Sequence, residues 1–119
     1  VKRVEWISSS FRDLAATDED VQDAIGYAIE RAQAGEIVCY AEPMKGNLRE
    51  IIEIRTPDEI GDSTYRAAYT VKFRDVVYFL DIFKKKSTQG IKTAQRDLDR
   101  IAGRLRMAKE HYEKHHRGK

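Results

Sequence analysis

Residues Tyr65–Lys86 read YRAAYTVKFRDVVYFLDIFKKK, and the spacing within this stretch decides the fold class. Tyr65, Ala67, Tyr69, Val71 and Phe73 recur at every second position. A β-strand therefore turns them to one side and Arg66, Ala68, Thr70 and Lys72 to the other. Arg74-Asp75 is a tight link, and Val76–Lys85 follows as an apolar, aromatic strand that carries Asp81. Two such runs across a short link predict an antiparallel hairpin.

Working outward, Glu50–Arg55 reads as another strand, with Ile52 and Ile54 on one face and Glu53 and Arg55 on the other. A turn from Pro57 to Ser63 joins it to the hairpin. Before it, Glu42–Asn47 holds a Pro and a Gly and is expected to be a loop after the apolar run Ile37–Tyr40. Val1–Ile7 reads as a short strand, and Ser8-Ser9-Ser10 offers caps for a helical turn through Phe11, Leu14 and Ala15. Thr17 is placed to cap a second helix whose Val21, Ala24, Ile25, Ala28, Ile29 and Ala32 make one apolar stripe, ended by Gly35. Thr93 is placed to cap a long last helix with Ala94, Leu98, Ile101, Ala102, Leu105, Ala108 and Tyr112 on one face, and residues 111–119 are expected to fray. The fold class is α+β: an N-terminal strand and helical hairpin, a twisted, mainly antiparallel four-stranded sheet, and a C-terminal helix.

A chain of 119 residues supports a single domain, 1–119. No apolar run approaches the ~18 residues of a membrane span and no signal-peptide pattern is visible, so a cytoplasmic protein with no membrane partner is expected. Cys39 is the one cysteine, which excludes an intramolecular disulfide or a cysteine-based zinc site within the chain. The net charge of +2 conceals an asymmetry: residues 1–36 carry −4, and the remainder +6. Between Arg66 and Arg96 eight basic residues stand against two acidic ones, Asp75 and Asp81. One positive face built from them would fit a polyphosphate; a solvated face that maintains solubility is the competing reading.

Several segments together resemble the phage-related branch of the RelE/ParE toxin superfamily. They are Gly26-Tyr27-Ala28 in a helix, Met44-Lys45-Gly46 in the following loop, Glu53-Ile54-Arg55, Tyr65 to Thr70, and Val77 to Lys86 before a basic helix. The resemblance spans about Trp6 to Ala108. It implies a RelE-like fold and a type II toxin of the HigB kind. Such a toxin is a metal-independent endoribonuclease without cofactor, cutting mRNA on the ribosome and inhibiting translation. Its implied partners are the ribosome, the message and a cognate helix-turn-helix antitoxin, with DNA reached only through the antitoxin. Other readings left open are a ParE-like toxin that binds gyrase, or an inactive phage-derived binding module.

Cutting RNA at its own 2′-oxygen requires a base, a stabiliser for the phosphorane charge and an acid for the leaving oxygen. Arg66 is the leading stabiliser, because a guanidinium holds two phosphate oxygens in a fixed fork. It also occupies the Tyr-Arg position where the resemblance implies a catalytic arginine. An ion pair with Asp81 on the neighbouring strand is its alternative role. Lys84, Lys85 and Lys86 end the last strand on alternate sides, so at least one shares the Arg66 face. Mutual repulsion would lower their pKa values, making Lys84 or Lys85 a proton shuttle or a phosphate contact. Asp81 and these lysines are the candidate bases. Lys45, Arg55, Lys72, Lys86 and Lys92 are candidate RNA contacts. The superfamily's C-terminal tyrosine or histidine has no counterpart soon after Lys86. His111 and His115 have i, i+4 spacing but lack a third ligand, so no metal is expected.

Overall fold

The computed structural model describes residues 2–56, 63–86 and 93–115. Residues 57–62 of the expected Pro57–Ser63 turn, Lys92, and the side chain of Lys86 lie outside the described residues, while Ser63 already opens a strand. Strand β1 spans Arg3–Trp6, helix α1 Ser10–Ala15 and helix α2 Glu19–Gln33. Strand β2 is Ala41–Pro43, followed by a 3₁₀ turn, Gly46–Leu48. Strands β3 (Ile51–Arg55), β4 (Ser63–Thr70) and β5 (Val76–Lys86) precede helix α3 (Gln95–His115). The β4–β5 hairpin lies at the centre of the sheet, whose order is β1-β5-β4-β3-β2. Its ladders are antiparallel except for β1, which runs parallel to β5 from Arg3 opposite Val76 to Trp6 opposite Phe79. Parallel neighbours need a crossover, and the helices and remaining strands supply it.

The sheet therefore has five strands where the sequence suggests four. The additional one, β2, comes from the segment expected to be a loop. It pairs with β3 from Ala41 opposite Ile54 to Pro43 opposite Ile52. Proline is tolerated there because β2 is an edge strand. Flanking bonds from Met44 N to the Ile51 carbonyl and from Arg55 N to the Tyr40 carbonyl, both 2.8 Å, extend the ladder.

Two apolar layers sandwich the sheet. On one side Val21, Ile25, Ala28, Ile29 and Ala32 of α2 pack on Ile52, Ile54, Ala67, Tyr69, Val77, Phe79 and Ile82. On the other, Ile101, Leu105 and Ala108 of α3 pack on Ile51, Ala68, Val76, Tyr78, Leu80 and Phe83. Phe73 belongs to this second layer and not with Tyr65 and Tyr69, because β4 ends at Thr70 and the chain turns before it. Gly35, at φ +86°, closes α2: its N–H bonds the Ala32 carbonyl and that of Glu36 the Arg31 carbonyl, the two bonds of a Schellman stop. Thr17 does not cap α2. Its hydroxyl donates to the Leu14 carbonyl (2.7 Å), finishing α1, while Asp18 occupies the cap position.

One irregularity sets the later chemistry. Ala68 pairs with Asp81 but Tyr69 pairs with Phe79, so β5 carries an extra residue and both Leu80 and Asp81 turn toward α3. Strict alternation from Val77 and Phe79 would have sent Asp81, Phe83 and Lys85 to the α2 side, since a one-residue slip reverses every side chain beyond it. The bulge moves them to the α3 side.

Asp81 fastens α3 to the sheet. Arg100 Nε lies 2.8 Å from one carboxylate oxygen and Arg104 Nη1 3.0 Å from the other. Arg100 also reaches Asp97, and Arg104 donates to the Leu80 carbonyl and to Ser9 Oγ. Burial pushes the Asp81 carboxyl upward, against the pull of Arg100 and Arg104. The expected fraying from residue 111 does not begin there: α3 continues to His115, His111 Nδ1 lies 2.7 Å from Tyr78 Oη, and Tyr112 packs on Phe73. Among the described residues no helix is long and apolar enough to cross a membrane.

Tyr69 yields a stability prediction. Its ring is fully buried, its hydroxyl has no hydrogen-bond partner among the described residues, and burial raises its pKa from 10.0 to about 12. Tyr69→Phe removes an unsatisfied hydroxyl, so a gain of about 1 kcal/mol at neutral pH is expected. Above pH 10 the unfolded wild-type chain releases this proton before the folded one does. Wild-type stability then falls by up to about 1.4 kcal/mol per pH unit through this group until the folded pKa is passed. Urea titrations at pH 7 and pH 11 check both effects, with the gap between variant and wild type widening at pH 11.

Candidate functional site

In an antiparallel sheet, directly opposed residues share a face. Arg55 opposes Arg66 and Arg66 opposes Phe83; one step along, Glu53 opposes Ala68 and Ala68 opposes Asp81. Three strands thus contribute Glu53, Arg55, Arg66 and Lys85 to the α3 side of the sheet, beyond the apolar layer and near the start of α3.

Arg66 is 7% exposed. Its Nη1 lies 3.3 Å from Thr93 Oγ1 and 3.5 Å from Glu53 Oε2. Thr93 in turn donates to Glu53 Oε2 at 2.9 Å. Arg55 Nε approaches the other Glu53 oxygen at 3.3 Å, and Arg55 Nη2 lies 3.3 Å from Glu42. Glu53 is itself buried, and these donors take the place of water around its carboxyl oxygens. Lys85 is 4% exposed, and burial, followed by the nearby Arg66 charge, lowers its pKa. Burial also lowers the pKa of Arg66, with Glu53 opposing the shift; a guanidinium nevertheless stays charged.

The candidates from the sequence divide accordingly. Arg66, Arg55 and Lys85 come together. Arg66 pairs with Glu53 and not with Asp81, which is taken by Arg100 and Arg104 and sits under α3. Lys84 is exposed on the opposite side, its ammonium 5.6 Å from the Tyr65 ring centre. The shift at Lys85 comes from burial and Arg66, and not from repulsion among the three lysines. Lys45 is exposed on the loop before the 3₁₀ turn and lines a groove beside the centre. Lys72 lies past the other end of β4, ~20 Å along the strand direction at ~3.3 Å per residue, where it pairs with Glu50.

Two members of the centre were not singled out by residue type. In the sequence Glu53 is a strand-face residue within the Glu53-Ile54-Arg55 segment that carries the resemblance, and its place as the hub depends on register across three strands. Thr93 has the residue type of a helix cap, but α3 begins at Gln95 and the Thr93 hydroxyl instead bridges Arg66 and Glu53. The adjoining groove, of about 600 Å³, runs between the Glu42–Leu48 segment and the first turn of α3, with Glu53, Arg55 and Thr93 in its wall. Among the described residues no group of three or more His, Cys, Asp or Glu side chains is arranged to hold a metal ion.

Chemically, the centre combines the guanidinium fork of Arg66 and the ammonium of Lys85, both buried, with the buried Glu53 carboxylate, which lines the open groove. That combination can bind a phosphodiester and exchange protons with oxygens on either side of it.

Comparison with known proteins adds three findings. The model of the family described as phage-derived protein Gp49-like matches residues 12–106. No curated protein matches the chain. Among solved structures it is similar to the toxin–antitoxin complex RelBE2 from Mycobacterium tuberculosis, at 17% identity and a TM-score of 0.47 over 68% of this chain and 94% of that one.

Proposed function

The chain belongs to the phage-derived Gp49-like family, a RelE-like toxin family, and from that premise we propose that it is a type II toxin that cleaves mRNA on the ribosome. The observation that carries this reading is the gathering of buried Arg66 and Lys85 around Glu53 on one sheet face, with Glu53 itself lining the groove. A protein that acted only by covering a partner would need no such phosphate-handling centre.

In the proposed reaction the ribose 2′-oxygen attacks the adjacent phosphorus while Glu53 takes its proton. Arg66 spans the non-bridging oxygens as the phosphorane forms, where fixed donors contribute most. Lys85, whose lowered pKa eases proton donation, protonates the departing 5′-oxygen. The products are a 2′,3′-cyclic phosphate and a 5′-hydroxyl. Asp81 is left out of these steps because it lies under α3, clamped by Arg100 and Arg104, and does not line the groove as Glu53 does. An antitoxin with an acidic segment would silence the centre by covering its cations.

The test is a reconstituted translation reaction with one defined message. New RNA ends bearing 5′-hydroxyls, and their suppression by the product of the neighbouring gene, are the expected result. An intact message alongside inhibited DNA gyrase would overturn the reading in favour of a gyrase-binding toxin.

A further inference from the structure

We propose that the groove beside Arg66 is a base-reading subsite for the single-stranded RNA nucleotide that flanks the scissile phosphate, an inference that rests on the cleavage reading above. Its volume of about 600 Å³ lies within the range of small-ligand sites, roughly 300–1,000 Å³, and is ample for one nucleotide. The lining is not that of a simple phosphate track. Met44, Leu48 and Leu98 are half-buried and give an apolar surface on which a base can lie flat. Asn47 and Gln95 stand on opposite walls, one in the 3₁₀ turn and the other in the first turn of α3. Each carries an amide, the group that matches the mixed donors and acceptors of a base edge. Gln95 is already steadied by a 2.8 Å hydrogen bond from its Nε2 to Asp99.

The groove is joined to the cleavage centre by shared residues. Glu53 and Thr93 line it while contacting Arg66, and Arg55 lines it while contacting Glu53. A phosphate at Arg66 therefore places the neighbouring nucleotide at the mouth of the groove, with Lys45 at the rim for backbone charge. Sequence-specific RNA recognition works in this manner, through unstacked bases packed on side chains and hydrogen-bonded at their edges.

The test uses the full-length protein and 2′-O-methyl hexanucleotides, which cannot be cut, in a set differing at one base at a time. Binding is read by fluorescence anisotropy for wild type and for the double variant Asn47→Ala/Gln95→Ala, both of whose sites are exposed and compatible with folding. Wild type is expected to prefer one base by about tenfold or more, and the double variant to retain less than about threefold. Equal binding of all bases by wild type, or an unchanged preference in the variant, would overturn the subsite.

Mapping cuts in a message separates this inference from the one beneath it. If wild type cuts and the variant cuts with the same base distribution, the subsite falls and cleavage stands. If wild type does not cut yet shows a groove-dependent base preference, cleavage falls, the groove is supported as an RNA-base site, and its assignment to the nucleotide beside a scissile phosphate is overturned. Loss of antitoxin binding in the variant, with RNA preference intact, would make the groove a protein-docking surface and overturn the proposal.

Discussion

Arg66→Ala is expected to lower cleavage of a ribosome-bound message about 10³-fold or more, the scale on which preorganised transition-state donors act. The size follows from position as well as charge. Arg66 is held by Thr93 and Glu53 on a central strand, so little rearrangement is needed when the phosphorane forms. Arg66→Lys should recover only a small part, because an ammonium restores charge without the planar fork. Glu53 remains contacted by Arg55 and Thr93 in either variant, so the fold should survive. Initial rates of appearance of a mapped 5′ end, with thermal unfolding recorded in parallel, check both parts. Wild-type cleavage by a folded Arg66→Ala protein would remove Arg66 from the reaction.

The largest effect on stability is expected at a residue that the proposed reaction does not use. Asp81→Ala should destabilise the fold by about 3–5 kcal/mol, as breaking a buried charge pair from one side generally does. It leaves the guanidinium of Arg104, whose side chain is 12% exposed, facing a small apolar residue, and releases Arg100 from the sheet. The lost stability should lower Tm by about 10 °C or more. The lesson is not that the ion pairs contribute that much net stability, since burial already pushes the Asp81 carboxyl upward. Much of the penalty arises from the charges left behind. Hydrogen exchange should therefore show α3 losing protection before β4 and β5. A Tm within two or three degrees of wild type, on the same scale of about 4–8 °C per kcal/mol for a small domain, would contradict the clamp.

These two residues mark the boundary of what could be read from sequence. Arg66 is legible: a charge on a strand whose neighbours alternate into a core stands out by its type and place. Asp81 is equally visible as a charge, but its partners are not, because they follow from the bulge that turns both Leu80 and Asp81 toward α3. Nothing in the run Val76–Phe83 marks where an extra residue enters. The same bulge decides that Lys85 and not Lys84 joins Arg66. Strand β2 is hidden for another reason: three residues ending in proline carry no alternation, and their pairing is imposed by the open edge of β3. Glu53 and Thr93 illustrate the limit most plainly. Each is compatible locally with a solvated strand face or a helix cap, and only the approach of β3, β4 and the segment before α3 makes them partners of Arg66.

The most direct test of the central claim sets wild-type and Arg66→Ala protein side by side on one defined message, with and without translating ribosomes, and maps every new 5′ end. The account predicts 5′-hydroxyl ends that require both ribosomes and Arg66. Ends of equal intensity from the two proteins would contradict it. So would an intact message in the presence of wild-type protein that still arrests growth.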